Sequence, residues 1–144
     1  MTMGSLGYAE VFLRLGAAVL AGAVIGLDRE VRNKPAGLRT MALVSLGSAV
    51  FVVATASAAT VDSTSRVIQG VITGVGFLGA GSIIRGRTEG SVRGLTTAAS
   101  IWLAAAVGVA CGLALWSVVV ISCCFGLLIL VLEPIDRWLK AKVS

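Results

Sequence analysis

Histidine is absent from this chain of 144 residues, and charged residues make up only 13% of it. A soluble domain averages about 25% charged residues. The lack of histidine removes the commonest metal ligand and the commonest group that titrates near neutral pH. The scarcity of charge removes the polar surface that keeps a protein dispersed in water. Together these absences disfavour a soluble fold and indicate a membrane protein.

Cysteine and the motifs of catalysis are also scarce. Cys111, Cys123 and Cys124 lie within or at the ends of apolar runs and lack the spacing of metal ligands, which predicts small buried side chains. The segment GVGFLGAG has the glycines of a phosphate loop, but it lies within an apolar run without a preceding strand. We therefore predict no catalytic residue, no metal site and no cofactor, and the chain is not expected to be an enzyme.

Long apolar runs are what the chain does contain. Hydrophobic residues make up 57% of it, and each run is close to the ~20 residues that cross a ~30 Å hydrocarbon core. Backbone groups in lipid must be bonded within the segment, so helices are expected. We predict an all-α polytopic membrane bundle of five transmembrane helices, forming a single domain over residues 1–144 without a C-terminal soluble domain. The five runs are Val11–Leu27, Leu38–Ala59, Val67–Ile84, Leu95–Cys111 and Leu113–Leu132.

The basic residues predict how the helices are oriented. Nine of the twelve lie in the first and third connections and the tail, and Arg39 lies on the same side at the start of the second run, whereas Arg14 and Arg66 lie on the other side. The positive-inside rule places the N-terminus outside and the C-terminus in the cytoplasm. The net charge of +5 therefore indicates membrane topology and no nucleic-acid partner. No basic segment precedes the first run, which predicts a retained helix rather than a signal peptide.

The sequence contains a possible internal repeat. GAVIGLDREVRNKPAGLRTMA begins at Gly22 and GAGSIIRGRTEGSVRGLTTAA begins at Gly79. The pairs Gly22/Gly79, Gly37/Gly94 and Thr40/Thr97, among others, coincide at an offset of 57 residues. A parallel repeat of two helix hairpins would produce this pattern, and so would chance matching between membrane sequences rich in glycine and alanine.

Small residues are spaced for close helix packing. Arg14, Ala18, Gly22 and Gly26 share one face of the first helix. Close backbone approach through small residues is a main source of helix association in lipid. Glycines of the first and third runs are therefore predicted to serve helix packing or a dimer interface; a water-accessible path along Gly70–Gly81 is the alternative. These glycines are Gly22, Gly26, Gly70, Gly74, Gly76, Gly79 and Gly81.

Polar residues near the predicted cytoplasmic ends form the candidate functional cluster. They serve either as topology anchors with interfacial salt bridges, or as a site for an ion, a lipid headgroup or a partner protein. The threonines among them could cap helices or present oxygens to an ion. Arg14 is the intramembrane charge, which either extends to the outer interface or pairs inside, with Glu10 as a local partner. The cluster comprises Asp28, Arg29, Glu30, Arg39, Thr40, Arg85, Arg93, Thr96 and Thr97.

Two long segments carry a family resemblance. RLGAAVLAGAVIGLDREVRNKPAGLRT (Arg14–Thr40) and GVGFLGAGSIIRGRTEGSVRGLTTAASIWLAAAVG (Gly74–Gly108) resemble the membrane domain of the MgtC/SapB family. The resemblance implies a multi-pass protein of the bacterial inner (plasma) membrane. The chain ends soon after Leu132, so the shorter SapB-like form is the better comparison.

The resemblance also implies a role. Members of the family are associated with magnesium homeostasis, and restraint of the ATP synthase is among their reported roles. We therefore expect a regulator or partner-binding membrane protein acting in magnesium or other ion homeostasis. Its expected partners are membrane lipid, a second copy of the chain in a homodimer, and a membrane protein such as ATP synthase or an ion transporter. A small transporter or channel for Mg²⁺ or another small ion or solute is the alternative.

Overall fold

The structure is a computed structural model that describes residues 6–56, 61–85 and 92–132. It contains five helices, α1 (Tyr8–Val31), α2 (Leu38–Ala56), α3 (Val61–Ser82), α4 (Leu95–Gly112) and α5 (Trp116–Val131), with two short strands, β1 (Ile84–Arg85) and β2 (Val92–Arg93), between α3 and α4. The predicted all-α membrane bundle of five helices is confirmed. The direction in which the chain crosses the membrane stays a prediction.

Within the described residues, three helices are long and apolar enough to cross a membrane by length and composition, namely α1, the Leu38–Thr55 part of α2, and α4. Helix α5 is apolar but has 16 residues. Helix α3 begins at Val61, ahead of the predicted run at Val67, and carries Asp62 and Arg66 in its first turns. With these charges and its many glycines, α3 is not among the helices that are long and apolar enough to cross a membrane.

Helix α4 is the centre of the bundle and packs against the other four helices. One apolar cluster joins α4 to α1, α2 and α5 around Ile25, Val107 and Cys111. A second joins it to α2 and α3 around Met41, Val75 and Ile101. Helix α1 packs most extensively on α2, and α3 packs mainly on α4. The result is a tight unit of α1, α2 and α4, with α3 and α5 against its sides.

The tight unit depends on glycines that leave no room for a side chain. A Cβ atom at Gly22 would lie 2.6 Å from the carbonyl oxygen of Met41, and one at Gly26 would lie 2.6 Å from the Cα of Leu38. On α4, a Cβ at Gly108 would overlap the Ser45 backbone, and one at Gly112 would lie 2.7 Å from Val52 Cβ. Helices α1 and α4 therefore approach the α2 backbone from two sides.

Two helix contacts at equivalent positions support the predicted repeat. Gly22 of α1 lies against Met41 of α2, while Gly79 of α3 lies against Ala98 of α4. Both residues of the second pair follow those of the first by 57 positions. The connections differ, because a turn joins α1 to α2, whereas the two short strands pair antiparallel between α3 and α4. The second connection was not predicted to contain strands.

Two helix ends show the same local geometry. After α1, the Lys34 N–H donates to the Arg29 carbonyl at 2.9 Å and Asn33 adopts a left-handed φ of 52°. After α4, the Leu115 N–H donates to the Ala110 carbonyl at 2.9 Å and Ala114 has a φ of 58°. This Schellman arrangement satisfies carbonyls that a helix end leaves free. It permits a tight turn from α4 into α5.

Candidate functional site

Arg29 is the buried centre of the predicted polar cluster. It lies in the last turns of α1 and is only 3% exposed. Its guanidinium donates to the Pro35 carbonyl at 3.2 Å and to Thr97 Oγ1. Thr97 belongs to the first turn of α4 and is also 3% exposed. Arg29 therefore joins the end of α1, the connection to α2 and the start of α4.

Asp28 and Glu30, the two acidic residues beside Arg29, bind other groups. Asp28 accepts from Arg32 Nε at 2.7 Å, one helical turn away. Glu30 Oε2 accepts the backbone N–H of Leu38 at 3.1 Å. That N–H belongs to the first turn of α2, where helix N–H groups lack intrahelical partners and a negative charge is favourable. Glu30 is therefore the cap of α2, and its carboxylate fills the space beside Gly37.

The other members of the polar cluster are exposed, except for Arg85, whose side chain is not among those described. Arg39 and Thr40 on α2, Arg93 on β2 and Thr96 on α4 are exposed. Helix α4 has no side-chain cap at Gly94, so the capping role considered for the threonines is not seen there. Arg85 lies in β1, and its side chain lies outside the described part of the chain. We call the exposed residues Arg39, Thr40, Arg93 and Thr96 the polar rim.

Gly94 positions the rim at the start of α4. Its φ is 93°, and a Cβ there would overlap the Ser82 carbonyl. Only glycine accommodates both a left-handed conformation and so close an approach without strain. The turn brings β2 back to the end of α3 and places Arg93 next to the first turn of α4.

Arg14 lies at the opposite end of the bundle and has two partners. Its Nη1 donates to the Gly112 carbonyl at 2.7 Å, and its Nη2 donates to Glu10. The Schellman turn after α4 bonds the carbonyls of Ala110 and Cys111, and Arg14 supplies a donor to the next one. The side chain of Arg14 is 13% exposed. Arg14 therefore bonds the Gly112 carbonyl within the end of the bundle and also pairs with Glu10, its predicted local partner.

The predicted packing glycines separate into two groups. Gly22 and Gly26 are in close contact with α2, and Gly79 is in ordinary contact with Ala98. Gly70, Gly74, Gly76 and Gly81 have no atom within 4 Å of a Cβ position. Among the described residues these four therefore pack against no neighbouring helix, and their proposed place in an interface stays a prediction. The tightest contacts on α4 are instead at Gly108 and Gly112.

A groove of about 760 Å³ runs between α2 and α3. Its side chains are apolar apart from Ser48 and Arg66, and it contains the open glycines Gly47, Gly70 and Gly74. A smaller crevice of about 130 Å³ between α3 and α4 is lined by apolar residues. Neither cavity offers the carboxylate and carbonyl oxygens that hold Mg²⁺. No group of three or more Asp, Glu, Cys or His residues that could hold a metal ion occurs in the described segments.

Sequence reasoning did not single out two polar side chains. Ser45 of α2 is completely buried, and its Oγ has no hydrogen-bond partner among the described residues. It lies where Gly22 and Gly108 approach α2 from either side. Gln69 of α3 is exposed on the bundle surface. An amide within a predicted span was a signal available in the sequence.

The described helices form an apolar bundle, and Arg14 and Arg29 of α1 bond α4 at its two ends. These features define a multi-helix membrane protein. The profile of the MgtC family matches residues 15–138, and the chain belongs to that family. The family resemblance is thereby confirmed.

Individual relatives are similar over most of this chain. SrpB of Synechococcus elongatus is 47% identical over 129 residues, covering 81% of this chain and 71% of its own. MgtC of Salmonella typhimurium is 47% identical over 117 residues, covering 77% and 49%. MgtC of Brucella abortus is 48% identical over 104 residues, covering 72% and 42%. The chain spans about half the length or less of these MgtC relatives. No solved structure matches it.

Proposed function

We propose that this protein is a non-enzymatic regulator in the bacterial inner membrane, acting in magnesium or other ion homeostasis by binding a membrane protein partner at the polar rim. The family supports the ion-homeostasis setting through the name of its MgtC relatives. A membrane complex such as ATP synthase or an ion transporter is the class of partner. The rim lies on the predicted cytoplasmic side.

The division of the polar cluster into buried and exposed residues carries this proposal. Arg29 and Thr97 are bonded to each other and buried, whereas Arg39 and Arg93 are exposed. The buried pair joins the end of α1 to the start of α4, and the exposed arginines are available to a partner. Arginine suits this role because its planar guanidinium binds carboxylates in a bidentate manner.

The packing of the helices argues against an ion path through one chain. The backbones of α1, α2 and α4 meet at Gly22, Gly108 and Gly112 without intervening space. A bare cation also requires oxygen ligands or water along its path. The groove between α2 and α3 offers one hydroxyl and one guanidinium. Regulation therefore agrees better with the geometry than conduction does.

Reconstitution into liposomes separates the two functions. The regulator should give Mg²⁺ uptake no faster than protein-free liposomes. Specific Mg²⁺ uptake that disappears in Arg39→Ala, with the variant still folded and inserted, would overturn the proposal.

A second experiment addresses the rim itself. In cells whose growth in limiting Mg²⁺ depends on this protein, Arg39→Glu together with Arg93→Glu should abolish that growth at unchanged protein level. Arg39→Lys with Arg93→Lys retains the charge and should keep most of it. Full growth of the glutamate variant would show that the rim has no part in the function.

A further inference from the structure

Helix α3 has an exposed face with a regular spacing. Its residues follow one another at alternating intervals of four and three positions, and every one of them is exposed. This alternation is the a/d spacing of a coiled-coil seam, which keeps one helix face against a partner. The residues, which we call the α3 seam, are Asp62, Arg66, Gln69, Thr73, Gly76 and Ala80.

The seam lies at the depth of the apolar layer. Val75 of α3 packs with Ile101, Ala104 and Ala105 in the middle of α4, a helix with the length and composition of a membrane span. At ~1.5 Å per residue, Thr73 lies about 18 Å and Gln69 about 12 Å from the first residue of α3. Both therefore belong to the part of α3 that lies beside a membrane-crossing helix.

Gln69 is the residue that a lipid environment would leave unsatisfied. Its side-chain amide makes no hydrogen bond among the described residues; the Thr73 hydroxyl donates to the backbone carbonyl of Gln69, at 2.9 Å, and not to the amide. Hydrocarbon offers neither donors nor acceptors, so an exposed amide is unfavourable there. A polar side chain at such a position favours helix association in membranes.

The seam also permits close approach. Gly76 has no atom within 4 Å of its Cβ position, and Ala80 and Thr73 are small. Asp62 and Arg66 form an ion pair at 2.5 Å, so the end of the seam carries no net charge that would repel an identical surface.

We propose that two copies of this chain associate through the α3 seam, with their α3 helices parallel across a twofold axis along the membrane normal. The glutamine amide contains both a donor and an acceptor, and the axis places Gln69 of both copies at the same depth. The two amides therefore bond each other. A lipid chain would leave both amides unsatisfied, which favours a second protein helix as the occupant of the seam. Because the seam carries no net charge and its amide both donates and accepts, it is complementary to an identical seam, which favours a second copy of this chain.

Cysteine cross-linking in native membranes tests the geometry. The background carries Cys123→Ser and Cys124→Ser and retains the buried Cys111. Gly76→Cys and Ala80→Cys should form disulfide-linked dimers under oxidation. Gly74→Cys and Leu78→Cys provide matched controls, because they lie on the groove side of the same helix and should cross-link at least about 5-fold less.

Removal of the amide tests its role. Gln69→Leu keeps the side chain's bulk on an exposed face and should still fold. Its dimer dissociation constant in lipid vesicles, measured by energy transfer between labelled copies, should rise about 5- to 30-fold, the effect of one interhelical hydrogen bond. Thr55→Val, at the end of α2 and off the seam, should leave that constant unchanged.

Three results would overturn the proposal: equal cross-linking at the seam and control positions, an unchanged dissociation constant for Gln69→Leu, or a monomeric mass in lipid nanodiscs. Cross-linked products whose mass shows a different protein would assign the seam to another partner and also contradict it. The Mg²⁺ uptake and growth experiments do not depend on these results, so either proposal can fail alone.

Discussion

The guanidinium of Arg29 on α1 donates to the hydroxyl of Thr97 on α4, across 68 residues of sequence and inside the bundle. The pair joins the first predicted repeat to the second. Because Arg29 is buried, its charge requires hydrogen-bond acceptors, and this hydroxyl and the Pro35 carbonyl at 3.2 Å are two of them. Stability at this end of the bundle should therefore respond strongly to small changes at Thr97.

We expect Thr97→Val to destabilise the protein by about 1.5–3 kcal/mol, the range for a hydrogen bond to a charged group. Thr97→Ser keeps the acceptor and should lose less. Thr96→Val changes the exposed neighbour on the same turn and should have little effect. Thermal unfolding in detergent measures all three, and equal unfolding midpoints for Thr96→Val and Thr97→Val would contradict the buried bond.

Gly108→Ala should destabilise the bundle because its methyl group would overlap the Ser45 backbone. Forcing an added carbon into a packed contact costs about 1–3 kcal/mol. Gly16→Ala is the matched control, since no atom lies within 4 Å of that Cβ position, and alanine is the better helix former. In the same detergent, the unfolding midpoints of the two variants should shift in opposite directions or by clearly different amounts.

Arg14 and Glu10 should differ in importance although they form an ion pair. Glu10 is 47% exposed in its side chain, and exposed pairs contribute about 0–1 kcal/mol. Arg14 also donates to the Gly112 carbonyl. We expect Arg14→Met to cost more stability than Glu10→Gln and to speed amide exchange at Leu115 and Trp116. Similar losses in both variants would show that the carbonyl contact contributes little.

Glu30→Ala should loosen the start of α2. The carboxylate accepts the Leu38 N–H at 3.1 Å, and losing a helix cap costs about 0.5–2 kcal/mol. Hydrogen exchange at Leu38 should therefore accelerate. Asp62→Asn, at an exposed acidic residue in the first turn of α3, should leave exchange at Leu38 unchanged, and an unaffected rate in Glu30→Ala would contradict the cap.

The sequence predicted the architecture well because apolar runs of membrane length leave few alternatives to helices. The contact of Gly22 with α2 follows from the same logic of small residues in lipid. The extension of α1 to Val31 was not predicted, because Asp28 and Arg29 have the composition of a loop. The burial of Arg29 and its bond to Thr97 depend on α4, which periodicity within α1 cannot show.

The roles of individual polar residues were harder to predict. Composition grouped Asp28, Arg29 and Glu30 as one cluster, but their partners lie in three different places. Ala114 in a left-handed turn was also beyond prediction, because glycine or asparagine is usual at that position. Gln69 shows the opposite case. Its spacing with Thr73 and Gly76 was visible in the sequence, but the packing of Val75 and Gly79 against α4 was needed to show that this spacing lies on an exposed face.

The bonds of Arg14 and Arg29 also constrain movement. Each attaches α1 to α4, one at the C-terminal end of α4 and one at its first turn. The two arginines are fifteen residues apart, or about 22 Å along the helix axis. Sliding α1 along α4 would break both bonds together, so these two helices move as one rigid unit. Any rearrangement of the bundle is therefore assigned to α3 and α5. Inserting one alanine between the two arginines would turn one of them away from α4 and so break one of the two bonds.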